Sequence, residues 1–240
     1  MDRLIYLSMA GAKATMQRQD VLANNLANAS TTGFRAEMQA FRAVPVRGDG
    51  ASTRVYALES TIGNDTRAGP LQQTGRGLDV AAQGNAWFAV QSLDGTEAYT
   101  RNGSFQVDPQ GQLVTSTGLP VLGDGGPITL PAGAALEVAA DGSISATVGN
   151  GRPQQAGRLK LVSPEAPLLR GTDGLFRAAE GDLTADPAAR VQGGALEGSN
   201  VNAIETMVAM ISAARQFEQQ MKMLQGAEQR EQGAAKLLAP

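Results

Sequence analysis

The sequence predicts an α+β protein in which helices at the two chain ends enclose a β-rich middle. Two segments, near residues 2–28 and 203–238, repeat apolar side chains every three or four positions, which is the period of one helix face. Between them lie short runs of alternating apolar and polar residues, separated by turn residues, as is typical of antiparallel strands. Glycine makes up 29 of the 240 residues, well above the roughly 7% of an average protein, and this suits a middle with many tight turns.

The first helix is predicted from a stripe of apolar residues at helical spacing. Its positions follow alternating three- and four-residue steps, with one polar position at Gln19: Ile5, Met9, Ala12, Met16, Ala23 and Leu26. At a rise of 1.5 Å per residue, this helix would be about 40 Å long. The stripe is narrow, and the rest of the helix surface is polar.

The second helix repeats the pattern over residues 203–238. Its stripe consists of Met207, Met210, Ala214, Phe217, Met221 and Leu224, and its first half is widened by Val201, Ile204, Val208 and Ile211. Asn202 followed by Glu205 has the spacing of a capping box, so we expect the helix to begin there. Its length would be about 54 Å.

Narrow stripes of this spacing suit coiled-coil contacts, either within the chain or between copies. The plainer alternative is that the two helices pack on each other and close a monomeric domain. Three asparagines at the end of the first helix weaken it, so their amides are expected to bond elsewhere, for instance across a subunit contact. The predicted subunit interface comprises Ile5, Met9, Ala12, Met16, Leu22, Asn24, Asn25, Leu26, Asn28, Ile204, Met207, Ile211, Ala214, Phe217, Met221 and Leu224.

The middle of the chain is predicted to form a small antiparallel barrel or sandwich. Its predicted strands are residues 78–80, 86–91, 104–107, 112–115, 136–139, 143–148 and 158–162. Trp87 and Phe88 are adjacent on one strand and therefore face opposite sides, and we expect both to pack in the core. The β-rich domain would span residues 36–199, and the helical module would combine 1–35 with 200–240. Flexible connections are predicted at about 46–70 and 180–199.

The composition speaks against catalysis. The chain has no histidine and no cysteine, which excludes imidazole bases, thiol nucleophiles and thiolate metal sites. The aspartates that could form a carboxylate pair each stand beside a Gly or Pro in a predicted turn, which already explains them: Asp94, Asp108, Asp124 and Asp141. We therefore predict no catalytic, cofactor or metal site, and no enzyme.

The net charge and the hydropathy of the sequence limit the kinds of partner that we expect. A formal net charge of −3 gives no basic face for nucleic acid, and no run of 18 or more apolar residues exists for membrane insertion. The first residues lack the basic and then apolar pattern of a cleaved secretory signal. Export from the cytosol would therefore use another route.

Three separate segments resemble the flagellar basal-body rod and hook family. The first is the helix end followed by a Ser-Thr, glycine, aromatic and basic run: Asn24, Asn25, Leu26, Ala27, Asn28, Ser30, Thr31, Gly33, Phe34 and Arg35. The second spans residues 78–90 and 98–105, and the third spans residues 196–202. Because these segments lie at the beginning, middle and end, the resemblance covers the whole chain.

The resemblance implies a structural subunit of the proximal rod. Residues 1–6 and 41–46 and the compact length are most similar to proximal-rod members, with distal-rod members as the alternative. Members of the family place their paired terminal helices inside a helical tube and the β domain outside, and they transmit torque from motor to hook. The implied partners are copies of this chain, the other proximal and distal rod subunits, and the flagellar type III export apparatus. The implied location is the basal-body rod in the periplasmic space, reached without a cleaved signal.

A competing hypothesis from another class is a secreted β-rich enzyme that acts on carbohydrate and dimerises through its helical ends. It would require a working carboxylate pair among the turn aspartates.

Overall fold

The computed structural model describes residues 3–45, 55–131, 133–149 and 151–238. The chain is an α+β protein with one helix near each end, α1 (Arg3–Ala27) and α2 (Ala203–Leu238), and antiparallel strands between them. It divides into two compact units. The helical unit comprises Met1–Ala29, Glu37–Asn64 and Val201–Pro240, and the β-rich unit comprises Ser30–Ala36 and Asp65–Asn200.

Both predicted helices are confirmed, and the start of α2 has the predicted cap. The side-chain oxygen of Asn202 accepts hydrogen bonds from the backbone amides of Ile204, at 3.1 Å, and Glu205, at 3.3 Å. These are two of the amides at a helix start that have no carbonyl partner within the helix. None of the described helices is long and apolar enough to cross a membrane.

Within the helical unit, α1 packs against α2 and also touches a β-hairpin. The buried residues of the two helices are mostly small: Ser8, Ala12, Ala14, Thr15 and Asn25 on α1, and Ala213 and Ala227 on α2. At Gly11, an added Cβ would lie 3.1 Å from the side chain of Gln220. Small residues let the two helices approach closely.

The hairpin joins β1 (Glu37–Pro45) to β2 (Val55–Asn64) in an antiparallel register from Glu37 opposite Asn64 to Pro45 opposite Val55. The sequence pattern predicts no strand over residues 37–45 and a flexible connection over 46–70. The predicted connection is wrong for 55–64, because backbone pairing along the whole of β1 holds this segment as a strand. Residues 46–54 lie outside the described residues. The hairpin also belongs to the helical unit, whereas the predicted β-rich domain of residues 36–199 would include it.

The β-rich unit consists of several small antiparallel sheets. Their strands are β3 (Leu71–Gln73), β4 (Val80–Ala82), β5 (Trp87–Gln91), β6 (Glu97–Thr100), β7 (Phe105–Val107), β8 (Leu113–Thr115), β9 (Leu122–Gly123), β10 (Gly126–Pro127), β11 (Ala135–Val138), β12 (Ser143–Thr147), β13 (Gln154–Arg158), β14 (Leu161–Val162), β15 (Leu169–Arg170), β16 (Phe176–Arg177), β17 (Val191–Gly193) and β18 (Ala195–Glu197). The largest sheet has the strand order β14-β5-β6-β16-β15, a second has the order β11-β12-β13, and the remaining strands pair as β9 with β10, β4 with β17, β3 with β18 and β7 with β8. None of the sheets in the described residues closes into a barrel.

The core of the β-rich unit lies in two clusters that use opposite faces of β5. Phe88 is in the larger cluster, where its ring meets Phe105 edge-on at 5.1 Å between centroids. Trp87 is in the smaller cluster, 4.7 Å from the ring of Phe176. Both are buried, which confirms the prediction that these neighbours pack on opposite sides.

Two predicted segments differ from the structure because their pairing is long-range. The predicted strand 158–162 is two strands, since Arg158 pairs with β12 whereas Leu161 pairs with β5 in another sheet. The predicted connection at 180–199 contains β17 and β18, which pair with β4 and β3. In both places the partner strand lies far away in the sequence, and the local pattern does not reveal it.

Candidate assembly site

The first half of α2 exposes four large apolar side chains on one face. Ile204 is 76% exposed, Met207 49%, Val208 59% and Ile211 54%. Positions i, i+3, i+4 and i+7 are neighbours on a helix surface, so the four form a continuous stripe. We call these four residues the α2 apolar face. The described residues of the helical unit leave about half or more of each of these side chains exposed.

The same unit exposes further apolar side chains on α1 and β1. Tyr6, Met9 and Met16 on α1 are each more than half exposed, and Met38 and Phe41 on β1 are exposed to a lesser degree. Single exposed apolar residues are normal on a soluble protein, whereas groups of them mark interaction surfaces. The helical unit therefore carries the surface most suited to binding another protein.

The predicted interface residues fall into three groups. Those that lie exposed are Met9, Met16, Asn24, Ile204, Met207, Ile211 and Met221. Those that are half-buried are Ile5, Leu22, Leu26, Asn28, Ala214, Phe217 and Leu224. Ala12 and Asn25 are buried within the chain. Tyr6 and Val208 are exposed as well, although the predicted interface omits them.

Asn25 has partners within its own chain. Its side-chain NH2 donates to the carbonyl of Glu37 at 3.0 Å, and its side-chain oxygen accepts the Glu37 amide at 2.9 Å. This pair of bonds ties the end of α1 to the start of β1 within the helical unit. The expectation that this amide bonds across a subunit contact is therefore wrong for Asn25.

A second feature lies in the β-rich unit, where the three family-like segments meet at one carboxylate. The Oε2 atom of Glu197 accepts from the Arg101 guanidinium, at 2.8 Å from Nε and 2.6 Å from Nη2. Its Oε1 atom lies 2.8 Å from Nη2 of Arg35 and accepts the amide of Gly69 at 2.9 Å. The three charged side chains are only 1–3% exposed. We call Arg35, Arg101 and Glu197 the Glu197 cluster.

The Glu197 cluster anchors the chain segments rather than performing chemistry. Arg101 also donates to the carbonyls of Ala82, at 3.0 Å, and Gly84, at 3.1 Å, and to that of Ala86. Burial lowers the pKa of Arg101, and the charge of Glu197 partly opposes this. Removing one member of a buried ion pair leaves the other charge uncompensated, and this is strongly destabilising. The cluster therefore fixes the segments that contribute to it.

Asn200 joins further segments beside the Glu197 cluster. Its side-chain oxygen accepts the amide of Ala36 at 2.7 Å, and its NH2 group donates to the carbonyls of Asp65, at 3.0 Å, and Arg67, at 2.9 Å. Its own amide donates to the carbonyl of Phe34 at 3.3 Å. Asn200, Arg101 and Glu197 lie in the family-like segments 98–105 and 196–202, but the sequence predicts no role for them. No local pattern reveals one, because their partners are distant in sequence.

Turn geometry accounts for three of the four aspartates considered for catalysis, as predicted. The Oδ1 atom of Asp94 accepts the amide of Thr96, that of Asp108 accepts the amide of Gln110, and that of Asp141 accepts the amide of Ser143. Among the described residues, no group of three acidic side chains could hold a metal ion. The exposed apolar surface and the buried anchor are thus the features that call for a functional explanation.

Comparison with known protein families shows which family the chain belongs to. A family model described as flagella basal body rod protein matches residues 5–35. A model for the flagellar hook protein FlgE/F/G D1 domain matches residues 81–146, and one for the flagellar basal body rod FlgEFG protein C-terminal region matches residues 192–237. The chain therefore belongs to the family of flagellar basal-body rod and hook proteins.

Relatives that match over the whole chain show which members of this family the chain resembles. The chain is 49% identical to the flagellar basal-body rod protein FlgF of Escherichia coli, over 100% of this chain and 99% of the relative. It is equally similar, at 49% and with the same coverage, to FlgF of Salmonella typhimurium. The rod protein FlgG of Bacillus subtilis is 31% identical, over 92% of this chain and 94% of the relative. The chain is thus a structural subunit of the bacterial flagellar basal-body rod, and it is similar to FlgF over its whole length.

Proposed function

We propose that the chain polymerises into the proximal part of the rod through its helical unit and helps to transmit torque from motor to hook. The observation that carries this proposal is the α2 apolar face, a four-residue stripe that the described chain leaves uncovered. Its partners would be copies of this chain and other proximal and distal rod subunits. The apolar residues repeat on average about every 3.5 positions, and this spacing suits coiled-coil contacts between the helices of neighbouring subunits.

The free energy gained by burying the α2 apolar face indicates how much contact area assembly requires. Fully burying a large aliphatic side chain stabilises by roughly 1.5–3 kcal/mol, so covering the exposed fractions of the α2 apolar face would contribute about 4–7 kcal/mol. Association itself costs about 4–15 kcal/mol in lost motional freedom. The α2 apolar face alone offsets only the lower part of this range. Stable assembly therefore needs the exposed residues of α1 as well, in particular Tyr6, Met9 and Met16.

The finer placement of the subunit rests on the comparisons. The 49% identity to FlgF against 31% to FlgG favours the proximal over the distal position. A rod subunit is assembled outside the cytosol, so we propose that the chain reaches the periplasm through the flagellar type III apparatus. The β-rich unit, with its own core, would form the outer part of the rod. Catalysis has no part in this proposal.

The test is a double substitution on the α2 apolar face, Ile204→Ser with Ile211→Ser. Serine has about the helix propensity of isoleucine, so α2 is retained. The exposed fractions imply a loss of about 2–4 kcal/mol per contact, or roughly 30- to 1000-fold weaker association. The amount of chain in purified basal bodies, relative to the amount exported, should fall accordingly.

A matched control substitutes two apolar residues of the β-rich unit that are on average at least as exposed as Ile204 and Ile211. Leu93 is 94% and Leu169 62% exposed, and Leu93→Ser with Leu169→Ser should leave incorporation unchanged. Circular dichroism of both purified variants checks that the helices persist. Normal incorporation of the Ile204 and Ile211 variant would contradict the proposal, because its interface would then lie elsewhere.

A further inference from the structure

All the sulfur of the chain lies in the helical unit. The chain has no cysteine and eight methionines. Every methionine falls within the three segments of the helical unit: Met1, Met9, Met16, Met38, Met207, Met210, Met221 and Met223. The β-rich unit contains none. Because the chain has no thiol, these thioethers are the side chains that a two-electron oxidant such as hydrogen peroxide attacks most readily.

Three of the methionines belong to the surface proposed for assembly. Met207 lies on the α2 apolar face and is 49% exposed, and Met9 and Met16 on α1 are 55% and 56% exposed. We call Met9, Met16 and Met207 the assembly methionines. We propose that they are reversible oxidation sites, and that their conversion to methionine sulfoxide prevents the chain from assembling. The effect on assembly rests on the proposed function, whereas the oxidation itself does not.

The reaction needs only hydrogen peroxide and an accessible sulfur atom. A lone pair of the thioether sulfur attacks one peroxide oxygen, and an S–O bond forms as the O–O bond breaks. The second oxygen leaves as hydroxide and takes the proton from the first oxygen to become water. The sulfur is thereby oxidised by two electrons and the peroxide is reduced. Methionine sulfoxide reductases reverse the change, so the modification can act as a switch.

Oxidation changes the α2 apolar face at its one sulfur-bearing position. The other members, Ile204, Val208 and Ile211, are aliphatic and do not react. A sulfoxide oxygen is a polar acceptor, and covering it with apolar side chains of another subunit leaves it without a hydrogen-bond donor. A buried acceptor without a partner weakens binding by about five- to 150-fold. We therefore expect the oxidised chain to associate at least about tenfold more weakly.

The first measurement follows the oxidation of the purified chain by hydrogen peroxide, with each site located by fragmentation mass spectrometry. Met207 should gain one oxygen atom at least about threefold faster than Met210, which is half-buried on the same helix. Met9 and Met16 should react as fast as Met207, since they are at least as exposed. Equal rates at Met207 and Met210 would overturn the inference, because the fold would then not single out the assembly methionines.

The second measurement imitates the sulfoxide without an oxidant. Glutamine places a polar acceptor on a side chain of similar length and favours helix as methionine does, so α2 is retained. In Met207→Gln, the amount of chain in purified basal bodies, relative to the amount exported, should fall at least about threefold. A matched control is Met223→Gln, because Met223 is 52% exposed on the same helix but lies about 160° around its axis and roughly 24 Å along it from Met207. The control should be incorporated normally. Equal incorporation of the two variants would overturn the inference.

The third measurement exposes cells to sublethal hydrogen peroxide while rods are being assembled. Incorporation of the unaltered chain should fall at least about threefold. Leucine has nearly the volume of methionine and no sulfur, so combining Met9→Leu, Met16→Leu and Met207→Leu should remove most of this sensitivity. The control combines Met38→Leu with Met223→Leu, which removes two exposed methionines outside the α2 apolar face and α1, and it should stay as sensitive as the unaltered chain. Each variant is compared with its own untreated culture, so any effect of leucine itself cancels.

The outcomes separate this inference from the proposed function. Equal peroxide sensitivity of the two leucine variants would overturn the inference. Loss of incorporation in the variant with Ile204→Ser and Ile211→Ser would still support assembly through the α2 apolar face in that case. Normal incorporation of the serine variant would instead refute the proposed function and, with it, the effect of oxidation on assembly.

Discussion

A substitution at Gly33 tests whether the first family-like segment is held against the second as the structure shows. Gly33 has a φ of 70°, in the left-handed region that residues with a side chain rarely adopt. A Cβ added there would lie 2.5 Å from the backbone carbon of Arg101 and from the nitrogen of Asn102. Both neighbours are backbone atoms, so the collision cannot be relieved by a side-chain rotation. Gly33→Ala should therefore destabilise the β-rich unit.

The magnitude follows from three contributions. The left-handed conformation costs alanine about 1–2 kcal/mol. Forcing backbone segments apart in a packed site costs about 1–3 kcal/mol more. Alanine also stiffens the unfolded chain, which returns about 0.4–1 kcal/mol. The free energy of unfolding should thus fall by about 2–4 kcal/mol.

Two other glycines separate these contributions. Gly84 has a φ of 59° with no atom within 4 Å of the added Cβ, so Gly84→Ala reports the conformational cost alone and should lower stability by about 1 kcal/mol or less. Gly103 is not left-handed, and its Cβ would collide with the carbonyl oxygen of Val80. Gly103→Ala therefore reports the collision alone.

Urea unfolding followed by tryptophan fluorescence measures all three variants. The chain has a single tryptophan, and Trp87 is buried in the β-rich unit, so its emission reports that unit selectively. Gly33→Ala should be more destabilising than Gly84→Ala, and an equal or smaller effect would contradict this prediction. Such a result would mean that residue 33 does not approach the Arg101 backbone.

Two further predictions concern acid stability and the start of α2. Burial favours the neutral form of Asp79, but hydrogen bonds led by that from Arg76 outweigh it and hold the pKa of Asp79 below its ordinary value. Its carboxylate therefore stabilises the fold fully above the unfolded pKa, and this contribution is lost as the pH falls through the lower, folded pKa. The Asp79→Asn variant should be less stable than the unaltered chain at pH 7. The difference in the free energy of unfolding, measured by urea titration, should shrink below about pH 4. A difference that does not depend on pH would contradict this prediction. Asn202→Ala removes the cap over Ile204 and Glu205 and should cost about 1 kcal/mol in thermal unfolding followed by circular dichroism, whereas Asn202→Ser should retain most of it.

Much of the secondary structure follows from local chemistry. The three- and four-residue spacing predicts both helices, since only a helix brings such positions onto one face. Asn202 predicts the start of α2, because its side chain bonds amides two and three residues further on. The alternation at Trp87 and Phe88 predicts opposite faces of one strand for the same reason. Each of these features depends on residues that are close in sequence, so a local sequence pattern predicts it.

Local spacing also predicts which helix residues are apolar but not which of them are covered. Met207 and Phe217 belong to the same predicted stripe, yet Met207 is exposed and Phe217 is half-buried. An α-helix has 3.6 residues per turn, so a stripe of 3.5-residue spacing drifts around its axis. Where the partner lies then decides which part of the stripe is buried. Asn25 likewise turned out to bond Glu37 within the chain.

The sequence by itself determined the two helices, the antiparallel strands between them, the absence of histidine and thiol chemistry, and the family. Only the tertiary structure decided that Arg35, Arg101 and Glu197 share one buried site, that Asn200 bonds the backbone at Ala36 and Asp65, and that Leu161 pairs with β5 in a different sheet from Arg158. The physical reason is the same in each case. A contact such as that of Leu161 with Phe88, or that of Asn200 with Ala36, joins residues far apart in the chain and leaves no periodic trace in the sequence, because its geometry exists only once the chain has folded.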